Sequence, residues 1–461
     1  MRRKKGSKCI VLIGILALAI FLSVNSGTGQ KDGVVRLKDS QKTVHKTEEP
    51  ERQPDTYLED ENERGNIGVS GQPDTYLTEN EKSRGISGQP ETALTENEKS
   101  EGTETVTKEQ VLESPWVDSM IDNLTLEEKI AQLFFITPEA LTGYNQVLEA
   151  GAVTQAQFNQ YPVGGMVYFQ ANIQSGDQVK TMLSAMQRYS NERVGIPVFT
   201  GTDEEGGRVV RVAGSGIAGI TNVGDMLSIG AAGDTNNAFQ VGETIGHYLK
   251  QLGFNVDFAP VADIFDNENN TVIGDRSFGS DPQLVAQMVA REVEGFHEAG
   301  ICATLKHFPG HGNTDEDSHS GTAYLGKSLE EMADCEWVPF QAGIEAGADF
   351  VMMGHISVPA VTGEKIPASL SRKMVTDILR KRLRFNGIII TDSLSMGAIS
   401  QNYSSAHAAV QAIKAGVDML LMPVDFSAAY QGVLDAVHRQ ELSEERIDES
   451  VKRILKVKLN I

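Results

Sequence analysis

The chain has 461 residues, 40% of them hydrophobic, and a formal net charge of −22. That length and apolar content suffice for two or three average domains, or for one large α/β barrel with appendages. The negative balance sets the surface against nucleic acid, whose phosphates it would repel. Three cysteines, Cys9, Cys302 and Cys335, make neither a disulfide framework nor a metal-binding spacing, although a bridge between Cys302 and Cys335 stays open.

Residues 1–26 open with Arg2, Arg3, Lys4, Lys5 and Lys8 and continue in a mostly apolar run. A charged region before an apolar one reads as a signal peptide or N-terminal anchor, so the protein is expected to be exported. The run from Ile10 to Val24 would span roughly 22 Å as a helix, short of a bilayer core of about 30 Å. Cleavage near Val24-Asn25-Ser26 is therefore expected, with retention as an anchor the alternative. Membrane contact is expected only through this segment, if it is not cleaved.

Residues 27–112 read as a disordered acidic linker. A six-residue repeat at 53–58 returns at 72–77 and, degenerately, at 89–94, and residues 47–113 hold 18 acids against 6 bases. High charge with few apolar side chains cannot build a core. A docking motif for a partner is the functional alternative.

A folded domain is expected over residues 113–461. Thr125-Leu126-Glu127-Glu128 has the form of a capping box, and Leu126, Ile130, Leu133 and Phe134 share one helical face. Beyond it, strand-like runs alternate with helical patterns. Strands are expected at 133–136, 165–169, 197–201, 254–260, 301–307, 350–355, 387–391 and 418–422. Eight such units imply a parallel sheet with right-handed crossovers and suit a (β/α)8 TIM-like barrel, with a doubly wound sheet as the rival. The polar residues decide for the barrel. Asp203-Glu204-Glu205, Asp263, Lys306-His307, His355 and Asp392 stand at or just past the C-terminal ends of five strands, and a barrel gathers them on one face.

The densest polar stretch runs from Lys306-His307-Phe308-Pro309-Gly310-His311-Gly312 to Asp317-Ser318-His319. Its i,i+4 histidines, His307 and His311, suggest a metal, but Pro309, Gly310 and Gly312 forbid the regular helix that would align them. Asp317 two residues before His319 can orient an imidazole and raise its pKa, as a general acid/base needs. Asp392, where an apolar strand stops, is placed either as a nucleophile or as a cap for the next helix. Gly310 and Gly312 are expected to leave the loop free to approach and withdraw.

These motifs, with Asp203-Glu204-Glu205-Gly206-Gly207-Arg208-Val209-Val210-Arg211, Ile273-Gly274-Asp275-Arg276-Ser277-Phe278-Gly279 and Thr391-Asp392-Ser393-Leu394-Ser395-Met396-Gly397-Ala398, resemble the bacterial β-N-acetylhexosaminidases of glycoside hydrolase family 3. The resemblance runs from about Pro115 to the C-terminus. It implies Asp392 as nucleophile, His319 as acid/base and Asp317 as its partner in a dyad. Asp203, Arg211, Arg276, Lys306 and His307 then hold the sugar hydroxyls and the N-acetyl group. Glu204 departs from the pattern, which often has Gln or His there, and is expected to tune the loop without removing function. Relatives acting on glucosides take a Glu acid/base from a further C-terminal domain, for which this chain, ending at Ile461, is expected to have no room.

The implied reaction is retaining, exo-acting hydrolysis of terminal β-N-acetylhexosaminides, with cell-wall muropeptides as the expected substrates. It needs no metal and no organic cofactor. A monomer is expected. The alternatives are a phosphorylase of the same fold, whose neutral acid/base would admit phosphate, and a non-catalytic wall-binding protein.

Overall fold

The computed structural model describes residues 115–314, 321 and 323–461. The expected signal or anchor segment and the repeat-bearing linker lie outside the described residues. Among the described residues, no helix is long and apolar enough to cross a membrane.

Helix α1 (Pro115–Asn123) leads into α2 (Leu126–Gln132) through the expected capping box. The Glu128 amide donates to Thr125 Oγ1 at 3.3 Å, and the Thr125 amide donates to Glu128 Oε2 at 3.0 Å. Two orphan donors of the first turn are thus satisfied. Helix α2 ends at Gln132 with Leu133 as its C-cap, so Leu133 and Phe134 do not extend the helical face expected of them. Phe134 instead begins a strand, because Phe-Phe-Ile suits a ladder buried on both faces better than another helical turn.

Eight strands form the barrel: β1 (Phe134–Ile136), β2 (Gly165–Val167), β3 (Phe199–Thr202), β4 (Val256–Asp257), β5 (Cys302–Phe308), β6 (Phe350–Met353), β7 (Ile388–Thr391) and β8 (Leu420–Leu421). Their order is β8-β1-β2-β3-β4-β5-β6-β7, every pairing parallel. A bridge between Ile390 and Met419, with the Thr391 amide donating to the Met419 carbonyl at 3.1 Å, joins the last strand to the first of that order. The ring closes, so the barrel holds and the open sheet does not. Each strand falls on an expected run, most of them shorter than expected. A two-stranded parallel sheet, Ala323–Tyr324 with Ile356–Ser357, extends the same face beyond β6.

The interior is packed with aromatic rings. Phe199 of β3 and Phe350 of β6 meet at 5.2 Å between centroids. Those strands are not neighbours, so the contact crosses the barrel. Phe135 bridges Phe199 and Phe258 at 6.3 and 5.2 Å. Burying each ring contributes about 1.5–3 kcal/mol, and the filled interior leaves chemistry to the strand ends.

The N-terminal end of the barrel is stoppered by the last helix, α3 (Glu444–Lys458). Lys458 is buried, its Nζ donating to Gln132 Oε1 at 2.8 Å and standing 5.0 Å from the Phe199 ring centroid. Burial pushes this amine well below the ordinary lysine range. With a depressed pKa, the unfolded chain binds a proton that the folded chain does not. Stability therefore rises with pH from the depressed value up to the unfolded one near 10.4. Lys458→Met is expected to raise stability at pH 7 by on the order of 1–3 kcal/mol and to remove that slope. Chemical unfolding at pH 7 and pH 9 checks this; equal slopes in both proteins would show that Lys458 is charged in the fold.

Candidate active site

A cavity of about 340 Å³ opens at the C-terminal face, lined among others by Phe169, Asp203, Glu205, Arg211, Arg276, Lys306, His307, Met352, Asp392 and Met422. The sequence-expected nucleophile and all five expected sugar-binding residues thus share one cavity. Asp317 and His319 lie outside the described residues.

Lys306 comes from β5, where strand alternation separates it from Leu305, which packs outward on Gly343 of the surrounding helix Trp337–Glu345. Its ammonium is buried and lies 2.9 Å from Asp203 Oδ1 and 2.5 Å from Glu205 Oε1. Arg276 grips Glu205 with two parallel bonds, Nε to Oε2 and Nη2 to Oε1, each 2.7 Å. Glu205 is thus held between two cations. Burial alone would raise its pKa, but Arg276 and Lys306 outweigh it and hold the carboxyl far below the usual range. Burial would likewise lower Lys306, and Asp203 and Glu205 reverse the direction. Deeper still, burial pushes Asp257 and Glu292 well above the carboxylate range. The side chains that pair with Lys306 are Asp203 and Glu205, and Glu205 also pairs with Arg276.

Glu205 is a functional residue that its neighbours Asp203 and Glu204 obscured. Past the end of β3, Asp203 and Glu205 both reach Lys306 while Glu204, between them, turns to the loop that carries Arg211, as alternation along a strand would direct them. That period-2 signal was present in the sequence. Glu204 is fully buried and accepts from the amides of Arg211 (2.6 Å), Val212 (2.7 Å) and Ala213 (2.8 Å) and from the Tyr248 hydroxyl (2.8 Å). Four donors suit a carboxylate, which only accepts. The departure at this position fixes the loop that carries Arg211, in keeping with the tuning expected of it. The Arg211 guanidinium lies 5.6 Å from the Phe169 ring centroid, and its Nε is buried with no hydrogen-bond partner among the described residues. A ligand oxygen would satisfy it.

Asp263, unassigned on sequence, organises the histidines. Its Oδ2 accepts from His307 Nδ1 at 2.7 Å and from the His307 amide at 3.1 Å, while Oδ1 accepts from the His311 amide at 2.6 Å. Burial would raise Asp263, and His307 more than offsets it. With Nδ1 directed at Asp263, His307 turns Nε2 toward Arg276 Nη2, 3.5 Å away. His311 is buried and pairs through Nδ1 with Thr314 Oγ1 at 2.9 Å. The two rings stand edge to face at 6.1 Å between centroids. They do not converge as metal ligands.

Gly310 and Gly312 serve close approach, while the part of the loop that carries His319, whose freedom was expected of them, lies outside the described residues. A Cβ on Gly310 would lie 2.6 Å from Glu336 Cγ, and one on Gly312 would lie 1.7 Å from the Ile264 carbonyl oxygen. Gly310 also has φ +124°, which disfavours a side chain. Among the described residues, Asp266, Cys335 and Glu336 bring possible metal-ligand atoms together. Lys327 already fills that space, with Nζ 2.9 Å from Asp266 Oδ2, bonded to Glu336 Oε1 and 3.9 Å from Cys335 Sγ.

Asp392 follows the last residue of β7. Its amide donates to the Met353 carbonyl at 2.9 Å, and its Oδ1 accepts from the Ser393 amide at 2.7 Å. The next helix, Gly397–Ser400, is preceded by Met396 at its N-cap, so Asp392 is not the cap that was its alternative. It lines the cavity together with Asp203, Arg276 and Lys306.

Comparison with known proteins identifies the family. The family model described as "Glycosyl hydrolase family 3 N terminal domain" matches residues 125–457. Beta-hexosaminidase A of Pseudoalteromonas piscicida is 33% identical over 328 residues, covering 66% of this chain and 54% of that protein. Beta-hexosaminidase of Stenotrophomonas maltophilia (strain K279a) is 40% identical over 267 residues, covering 56% of this chain and 76% of that protein. The solved structure of a glycoside hydrolase family 3 beta-N-acetylglucosaminidase from Paenibacillus sp. str. FPU-7 superposes with a TM-score of 0.69 at 38% identity, over 73% of this chain and 62% of that one. The match thus spans between about half and three quarters of these relatives. The chain belongs to glycosyl hydrolase family 3.

Proposed function

We infer that the protein is an exo-acting, retaining β-N-acetylglucosaminidase that removes terminal N-acetyl-β-hexosaminides from glycans, with muropeptides of the cell wall as the substrate class. The observation that carries this reading is one cavity holding Asp392 together with the Asp203–Lys306–Glu205–Arg276 network, His307 and Arg211. Asp203 accepts from sugar hydroxyls, while Lys306, Arg211 and Arg276 donate to hydroxyl and acetyl oxygens. The wall formed by Phe169, Met352 and Met422 receives the apolar face of the ring.

Asp392 attacks the anomeric carbon as the bond to the leaving oxygen breaks, and the His319 imidazolium, oriented by Asp317, protonates that oxygen. The neutral imidazole then takes a proton from water as the water oxygen displaces Asp392. Exact placement of the sugar lets binding energy be expressed in the transition state. Relatives named beta-hexosaminidase and a structural neighbour named beta-N-acetylglucosaminidase support the sugar specificity. The remaining parts of the reading rest on sequence: export by residues 1–26, an acidic stalk over 27–112, and a monomeric enzyme.

The test is a paired assay. Nitrophenyl N-acetyl-β-glucosaminide is expected to exceed nitrophenyl β-glucoside in kcat/KM by roughly 100-fold or more, because buried donors left without the acetyl oxygen are costly. Equal rates would contradict acetamido recognition, and no turnover of either would contradict the glycosidase reading itself.

A further inference from the structure

We propose that His355 is a positioning residue for Asp392, acting through Ser393 and itself oriented by Ser369; the proposal rests on the nucleophile assignment above. His355 lies just past the end of β6 and is fully buried. Its Nε2 lies 2.9 Å from the Ser393 carbonyl oxygen and its Nδ1 2.8 Å from Ser369 Oγ. A carbonyl oxygen only accepts, so Nε2 carries a proton. In the neutral ring, Nδ1 is then the acceptor for the Ser369 hydroxyl, which fixes both tautomer and ring plane.

The consequence falls on the nucleophile. Ser393 donates its amide to Asp392 Oδ1 at 2.7 Å while its carbonyl is held by His355. On the other side, the Asp392 amide is held by the Met353 carbonyl of β6. Asp392 is therefore preceded by a peptide fixed on β6 and followed by Ser393, whose carbonyl, one peptide further on, is held by the imidazole. The turn after β7 is also held by the Leu394 amide donating to the Leu421 carbonyl of β8 at 2.9 Å and by the Met396 amide donating to the Ser393 carbonyl at 3.1 Å, and His355 adds a buried side-chain donor to that same carbonyl. In the first step the Asp392 carboxylate forms the bond to the anomeric carbon as the bond to the leaving oxygen breaks; in the second that ester bond breaks as water oxygen attaches. Asp392 acts in both steps, so misplacing it slows both.

The experiment compares His355→Phe, which keeps the ring and removes the donor, with His355→Gln, whose amide nitrogen can still donate to Ser393. In His355→Phe, kcat is expected to fall roughly 100-fold, the order of loss for a displacement of about 1 Å at a reacting group. The fall is expected to be equal for activated and poor leaving groups, with the inhibition constant of free N-acetylglucosamine within about threefold of wild type. His355→Gln is expected to recover about tenfold of the loss. Ser369→Ala should lose only a few-fold, since the carbonyl still selects the tautomer.

Labelling of Asp392 by a 5-fluorinated N-acetylglucosaminyl fluoride in the wild-type enzyme is the control for the nucleophile assignment. Its failure would refute that assignment, whereas wild-type labelling with unchanged rates in His355→Phe would refute the positioning role alone. An equal loss in His355→Gln and His355→Phe, or loss of N-acetylglucosamine binding along with kcat, would also overturn it. Thermal unfolding of each variant separates a destabilised fold from a displaced nucleophile, and His355→Gln keeps the test decisive if His355→Phe does not fold.

Discussion

Asp392→Ala is expected to abolish turnover while leaving the barrel folded and able to bind N-acetylglucosamine. The side chain projects from the turn after β7, and within that turn its Oδ1 accepts from the Ser393 amide. Truncation therefore leaves strand pairing intact: the Asp392 amide still donates to Met353, and the β6–β7 ladder from Phe350 to Met353 is untouched. What is lost is the only group proposed to form the covalent intermediate. Removing a nucleophile costs on the order of 10⁴- to 10⁶-fold in kcat. Sugar binding, proposed to rest on Asp203, Arg211, Arg276, Lys306 and His307, is expected to stay within a few-fold. Near-normal rates on nitrophenyl N-acetyl-β-glucosaminide in this variant would remove Asp392 from the mechanism.

His319→Ala is expected to divide the two chemical steps. Glycosylation needs the proton of His319 only in proportion to how poor the leaving group is. Attack of water needs its base form whatever the leaving group. An activated nitrophenyl substrate should then still glycosylate Asp392, while deglycosylation becomes limiting, giving a burst of nitrophenol and a low apparent KM. Substrates with a sugar leaving group should lose roughly 10²- to 10⁴-fold in kcat/KM, the usual contribution of general acid catalysis. Azide, which needs no general base, should restore turnover of the activated substrate and yield a β-glycosyl azide. Asp317→Ala should show a weaker form of the same pattern, because the imidazole remains and loses its orienting partner. Equal slowing of good and poor leaving groups, with neither burst nor azide rescue, would leave His319 as a binding residue.

Much of the site was legible because the fold places polar residues where apolar runs stop. Ile388–Thr391 is an uninterrupted β-branched strand, and the carboxylate directly after it can only lie at a barrel mouth. Lys306 was legible for the converse reason, a charge inside a strand whose other residues are buried, which is costly unless partners await it. Those partners were less legible. Glu205 stood beside two other acids, and only the period-2 alternation distinguishes it from Glu204, which turns the other way to hold a loop. Asp263 lies beyond an irregular stretch, so its hold on the His307 ring and on the His311 amide depends on tertiary approach that no local pattern encodes.

One use of the glycines was hidden for a related reason. Gly310 and Gly312 read locally as freedom, and no local pattern shows that their missing side chains also seat the backbone against Glu336 and Ile264. At the helix boundary, Leu133 and Phe134 kept the spacing of α2 but went to the cap and the ladder, since pairing with β2 and β8 outweighs one more turn. His355 was visible as a polar strand end, but its link to Asp392 runs through Ser393, distant in sequence, and its ring is oriented by Ser369.

The central claim, a glycosyl-enzyme on Asp392, is tested most directly by trapping it. The His319→Ala enzyme would be mixed with nitrophenyl N-acetyl-β-glucosaminide, quenched with acid during steady turnover, digested and examined by mass spectrometry. The peptide containing Asp392 should carry one N-acetylhexosamine, with fragmentation placing it on that residue, and the modification should disappear when azide is added. An unmodified Asp392 peptide during the nitrophenol burst, or the sugar found on another residue, would contradict the account.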